Sequence, residues 1–122
     1  MILVDTSVWI DHLHASEERL VGLLMDDAVG GHPLVIEELA LGSLKQRDVV
    51  LELLASLSQF PTVQHEELLH LVDRKRLWGR GLSAVDAGLL GSVLLVDGAT
   101  LWTRDKRLIA ACTTLGITPF GE

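Results

Sequence analysis

Apolar positions along the chain alternate between short continuous runs and stripes at helical spacing. Ile2 to Val4 is a continuous run, which predicts a strand buried on both faces. Val8, Trp9, Ile10 and Leu13 then recur on one side of a helix that Thr6 or Ser7 can cap, with Asp11 on another side. Leu20, Leu23 and Leu24 predict a second helix over Glu17 to Asp27, closed by Gly30 and Gly31. Pro33 suits the start of a third, in which Ile36, Leu39, Ala40 and Ser43 share a face. Val49, Leu53, Leu54 and Leu57 form a fourth stripe ending near Phe60 and Pro61, followed by a short strand over 62–64.

The second half repeats the alternation. Glu66 to Leu77 reads as helix, broken by Gly79 and Gly81, and Ser83 opens another through Leu89, Leu90 and Val93. Gly88 and Gly91 cost that helix about 1 kcal/mol each against Ala, so they mark close packing. Thr100 to Thr103 reads as a strand, Asp105 caps a helix through Leu108, Ile109 and Cys112, and a last short strand lies near Ile117. Strands separated by helices need crossovers, which predicts an α/β fold with a central, mainly parallel sheet in three α/β/α layers. The 122 residues, 48% of them hydrophobic and with no linker-like stretch, make one domain over 1–122.

Composition narrows the function classes. No run of apolar residues is long enough to span a bilayer, and no basic segment with a cleavage site precedes the first strand. The lone Cys112 excludes an internal disulfide and fits a reducing, cytoplasmic setting. A net charge of −7 argues against a polyanion partner, but the positive residues cluster. Arg74, Lys75, Arg76 and Arg80 form one group, and Arg104, Lys106 and Arg107 another; each reads either as a phosphate track or as a solvated helix face.

Ligands of open parallel sheets bind beyond the carboxyl ends of the strands. Asp5 and Asp105 both stand at such ends, and Asp86 and Glu38 lie in early turns of helices that can reach the same rim. Taken singly, Asp105 and Asp86 are ordinary capping acids, and Glu38, beside Glu37, is an ordinary solvated one. Asp5 resists a plain reading, because a carboxylate ending a buried strand needs donors or a cation. Four acids converging would repel one another unless a divalent cation neutralised them, and an all-oxygen set suits Mg²⁺ or Mn²⁺.

The pieces "ILVDTSVWID", "HPLVIEELALGSL", "GLSAVDAGLLGSV" and "LWTRDKRL", in that order and across nearly the whole chain, resemble the PIN-domain ribonucleases, and among them the VapC-type toxins. The resemblance implies a metal-dependent endoribonuclease whose Asp5, Glu38, Asp86 and Asp105 hold Mg²⁺ or Mn²⁺, with Thr6, Ser7 and Thr103 supplying nearby hydroxyls. Asp5 and Asp86 rank first as direct ligands, and the spacing to Gly42 favours Glu38 over Glu37. It further implies a cytoplasmic homodimer held inactive by a small antitoxin, and RNA as substrate. Gly88 and Gly91 depart from the alanines more usual in that helix.

Two other function classes compete. An Asp5 nucleophile for phosphotransfer normally has a second aspartate two positions on, where this chain has Ser7. A non-catalytic RNA- or protein-binding relative usually lacks one or more of the acids, and all four are present here. Zinc ligation fits poorly, since neither His12 and His14 nor His65 and His70 share a helix face. Trp9 and Trp102 lie in apolar segments, which leaves Trp78 as the tryptophan placed to stack on a base.

Overall fold

Residues 1–122 are described by a computed structural model. The opening apolar run, β1 (Ile2–Val4), is the middle strand of a three-stranded parallel sheet ordered β2-β1-β3, with β2 at Val29–Gly30 and β3 at Thr100–Trp102. Leu3 faces Gly30 on one side and Leu101 on the other, and Val4 faces Trp102. Being covered on both faces, β1 needs no polar alternation; Leu3 and Val4 are both buried.

The strand order reverses at β1. The chain leaves β1 for β2 on one side, through α1 (Thr6–His14) and α2 (Glu18–Met25). It then crosses to β3 on the other, through α3 (Pro33–Ala40), α4 (Arg47–Ser56), α5 (His65–Lys75) and α6 (Ala84–Leu94). Right-handed crossovers running in opposite directions put their helices on opposite faces, the three-layer arrangement that the alternation predicts. The helix α7 (Lys106–Leu115) follows β3. A crevice therefore opens at the carboxyl ends of β1 and β3, the switch point where such sheets bind ligands.

Several local expectations shift. Asp5 itself is the N-cap of α1, in place of Thr6 or Ser7. Gly30 does not terminate α2 but forms β2; the helix ends at Asp26, and Asp27 turns left-handed at φ 54°. No strand forms at 62–64. Its pairing falls earlier, where Gly31 bridges Gln59 and its carbonyl accepts from the Phe60 amide at 2.8 Å. At the other edge only Pro119 bridges Leu101, after Ile117, because a proline in so short a segment cannot sustain a ladder.

The helix α6 runs through the core, with every residue from Ala87 to Val93 buried. Its glycines have the packing reason their spacing suggests. A Cβ on Gly88 would stand 2.7 Å from Leu34 Cδ1, and one on Gly91 would stand 2.6 Å from Val63 Cγ2.

One buried polar link joins α6 to α3. His32, the residue before Pro33 and the N-cap of α3, accepts from the Leu34 amide through Nδ1 at 3.0 Å. That leaves the proton on Nε2, which donates to Ser92 Oγ at 2.8 Å in α6. Burial lowers the His32 pKa from its ordinary 6.5. Below pH 6.5 the unfolded chain therefore takes up a proton that the native imidazole refuses, so stability falls with pH from there down through the lowered native value. Urea unfolding should show this loss, at no more than about 1.4 kcal/mol per pH unit for one proton. In His32→Asn the slope should be smaller; an identical slope would remove His32 from the account.

Candidate active site

Five residues are linked by hydrogen bonds across the switch point. Asp5, at the end of β1, is only 7% exposed. Its Oδ1 accepts from the Thr6 amide at 2.8 Å, and its Oδ2 accepts from both Ser7 Oγ and Thr103 Oγ1, each at 2.8 Å. Thr6 Oγ1 donates to Glu38 Oε1 at 2.6 Å, linking α1 to α3. Thr103 Oγ1 in turn accepts from the Asp105 amide at 3.1 Å. The order Glu38, Thr6, Asp5, Thr103, Asp105 thus joins α3, α1 and the turn after β3, with backbone amides making the links from Thr6 to Asp5 and from Asp105 to Thr103.

These contacts correct one expectation. The burial of Asp5 does not by itself call for a cation, since three donors already offset its desolvation. They also separate the two neighbouring glutamates. Glu38 joins Thr6, whereas Glu37 lines a different cavity of about 290 Å³ with His32, Leu34 and Val63.

Asp86 and Asp105 carry out the capping roles their positions suggest. Asp86 Oδ2 accepts from the Ser83 amide at 2.9 Å while Ser83 Oγ accepts from the Asp86 amide at 3.1 Å. Asp105 Oδ1 accepts from the Arg107 and Leu108 amides at the start of α7, at 2.9 and 3.4 Å. No three acidic, histidine or cysteine side chains stand close enough together to hold one ion. The local caps explain this, because repelling carboxylates take the donors nearest them.

The donor chemistry nevertheless suits a hard divalent cation. Glu38 Oε2, Asp86 Oδ1 and Asp105 Oδ2 take part in none of these hydrogen bonds. Asp5, with three donors on two oxygens, keeps further acceptor capacity. Carboxylate and hydroxyl oxygens without sulfur or imidazole are the set that Mg²⁺ and Mn²⁺ prefer.

The basic residues divide into two kinds. Arg74 and Lys75 end α5, Arg76 is its left-handed C-cap, and all three are exposed. Arg80 Nη1 donates to Thr114 Oγ1 at 3.0 Å, and Arg107 Nη1 reaches the Gly81 carbonyl at 3.4 Å. These two contacts bring the loop after α5 against α7, so clusters distant in sequence, Lys106 included, lie on adjoining elements. Arg104 differs: its guanidinium pairs with Asp11, Glu17 and Glu122. Hydrogen bonds to Asp11 and Glu122 hold Arg104 above its usual range, and those from Arg104 and Trp102 hold Glu122 below the usual carboxylate range.

Sequence patterns contain no signal for the contacts of Glu17 and Glu122 with Arg104. The capping role of His32 was readable, because a proline at the first helical position makes the preceding residue the cap. Trp9 and Trp102 are core residues, while Trp78 is 61% exposed. Cys112 is buried and its thiol is pushed up to about 11 by desolvation, which makes it inert as a nucleophile. Beside Glu38, Ile10, Leu13, Leu39 and Leu44 line a partly apolar cavity of about 370 Å³.

The chain is 74% identical over 117 residues to "Ribonuclease VapC32" of Mycobacterium tuberculosis strain CDC 1551 / Oshkosh, covering 96% of this chain and 94% of the relative. It is equally similar to the protein of the same name from strain ATCC 25618 / H37Rv. The family model of the PIN domain matches residues 2–113, a span that contains Asp5, Glu38, Asp86 and Asp105 together with Thr6, Ser7 and Thr103. With its parallel sheet and acid-lined switch point, the chain belongs to the PIN-domain family, within its VapC-type group.

Proposed function

We propose that the chain is a metal-dependent endoribonuclease, the toxin of a VapBC-type toxin–antitoxin pair. The observation that carries the reading is the buried Asp5 at the switch point, joined through Thr6 to Glu38 and through Thr103 to Asp105. Its 74% identity to a ribonuclease over nearly the whole chain supports the same activity.

Asp5, Glu38, Asp86 and Asp105 would hold Mg²⁺ or Mn²⁺, with Asp5 and Asp86 as the first ligands. A divalent ion so held supplies Lewis acidity, which activates water at neutral pH and offsets the negative charge of the phosphodiester transition state. The hydroxyls of Thr6, Ser7 and Thr103 fix the acids: each donates to Asp5 or Glu38, so the carboxylates keep one orientation as substrate arrives. Arg74, Lys75, Arg76, Arg80, Lys106 and Arg107 hold the flanking phosphates of the RNA. Asp86 and Asp105 need only their cap-free oxygens for a cation, so the helix starts persist.

The partners follow from the same reading. A small antitoxin protein is expected across the acids, and the partly apolar cavity with Glu38 in its wall offers it a seat. An antitoxin arginine would pair with the carboxylates in place of a metal. A second copy of the chain completes the expected homodimer, for which exposed Val49, Leu53 and Leu69 provide apolar surface.

Labelled RNA incubated with the purified protein should be cut with Mg²⁺ or Mn²⁺ and left intact with EDTA. RNA bound but uncut under every metal condition would instead identify a non-catalytic RNA-binding relative.

A further inference from the structure

We infer that Arg104 is a positioning residue of the active site, a clamp that aims the turn carrying Thr103 and Asp105, and not a contact to the RNA. The inference rests on the ribonuclease reading and adds a role to it.

Arg104 sits in the turn between β3 and α7, with Thr103 before it and Asp105 after it. Each of its three nitrogens meets a carboxylate. Nη1 meets Asp11 Oδ2 of α1 at 2.5 Å, and Nη2 meets Glu17 Oε1, just before α2, at 2.9 Å. Nε and Nη2 both reach Glu122 Oε1 at 2.7 Å, and that same oxygen accepts from Trp102 Nε1 at 3.0 Å. Two acids from the first two helical segments and one from the C-terminal end thus converge on one side chain. An RNA phosphate reaching this guanidinium would have to displace three carboxylates, each of which repels it.

Pairwise stabilisation is small. The Arg104 side chain is 28% exposed and its partners 31–52% exposed, so each pair contributes no more than about 1 kcal/mol. What the fork does is remove rotational freedom from one turn, and the planar guanidinium does so better than a point charge. The turn it fixes is the one that matters. Thr103 Oγ1 both donates to Asp5 and accepts from the Asp105 amide, and Asp105 caps α7. Letting the turn drift would move a donor off Asp5 and a candidate ligand off its cap together.

A phosphate contact and a clamp differ in what their removal changes. In Arg104→Gln, kcat for RNA cleavage should fall about 10- to 100-fold, the range for groups that orient metal-binding side chains, with KM little changed. The salt dependence of RNA binding by the metal-free protein should stay as in wild type, whereas Arg74→Gln should make it shallower by about 0.7–0.9 per lost contact. Amide hydrogen exchange at Asp105, Arg107 and Leu108 should quicken in Arg104→Gln. Arg104→Lys should restore part of kcat, and Asp11→Asn, which leaves Arg104 in place, should reproduce a milder form of the defect.

A raised KM and a shallower salt slope with unchanged kcat would make Arg104 a phosphate contact and overturn the inference. Unaltered exchange at the three amides would overturn it as well. If the wild-type protein cuts no RNA, the ribonuclease reading fails, while the exchange measurement still decides for or against the clamp.

Discussion

Asp5→Asn is expected to lower RNA cleavage at least about 10²- to 10³-fold, the scale on which removing one group that stabilises transition-state charge acts. The native fold should survive it. The asparagine keeps an oxygen for the Thr6 amide, and the Ser7 and Thr103 hydroxyls, donors to Asp5 in the native chain, can each turn to accept from the new NH₂ group. One buried charge disappears with its desolvation cost, but three hydrogen bonds to a carboxylate become neutral ones, so the melting temperature should fall modestly while the fold persists. Circular dichroism and a melting curve would establish the fold, and single-turnover cleavage the loss. Cleavage within about tenfold of wild type would remove Asp5 from the catalytic set.

The parts of this chain that could be read without coordinates are those where one residue type had one physical use. Ile2 to Val4 could only be a covered strand, and Asp5 beyond it only a rim residue, because strand direction alone decides which end carries the site. Asp86 and Asp105 were legible twice over. They are caps, as their local positions require, and each keeps one carboxylate oxygen outside the cap. Gly88 and Gly91 pointed to close packing, and Leu34 and Val63 fill the places their missing side chains would occupy.

What was illegible depended on contacts between distant segments. The edge pairings at Gln59 and Pro119 are single bridges, too short to leave a period-two pattern. Arg104 looked like its neighbours Lys106 and Arg107, since a charge run does not say which of its members finds acids. The acids that take it come from α1, the segment before α2 and the residues after α7, and only the fold brings them together. The metal was the inverse case. Asp5 seemed to need a cation because the donors that satisfy it include Thr103, which lies far along the chain.

Thr103 should therefore be the most costly hydroxyl to lose. Thr103→Val keeps the shape and removes two hydrogen bonds, one to a buried carboxylate and one from the Asp105 amide. A hydrogen bond to a charged group is worth about 1.5–3 kcal/mol, and the amide of the exposed Asp105 can turn to water, so the variant should lose about 1.5–3 kcal/mol of stability. Thr103→Ser keeps the hydroxyl and gives up one buried methyl, which costs about 0.8 kcal/mol. Urea unfolding separates these terms, because Thr103→Val against wild type reports the hydroxyl at nearly constant shape and Thr103→Ser against wild type reports the methyl. Cleavage should follow the same order, with Thr103→Ser near wild type and Thr103→Val down about 10- to 100-fold as Asp5 and Asp105 lose their shared partner. Equal stability of the two variants would mean that Asp5 finds its third donor elsewhere, and the chain of contacts from Glu38 to Asp105 would then be broken at Thr103.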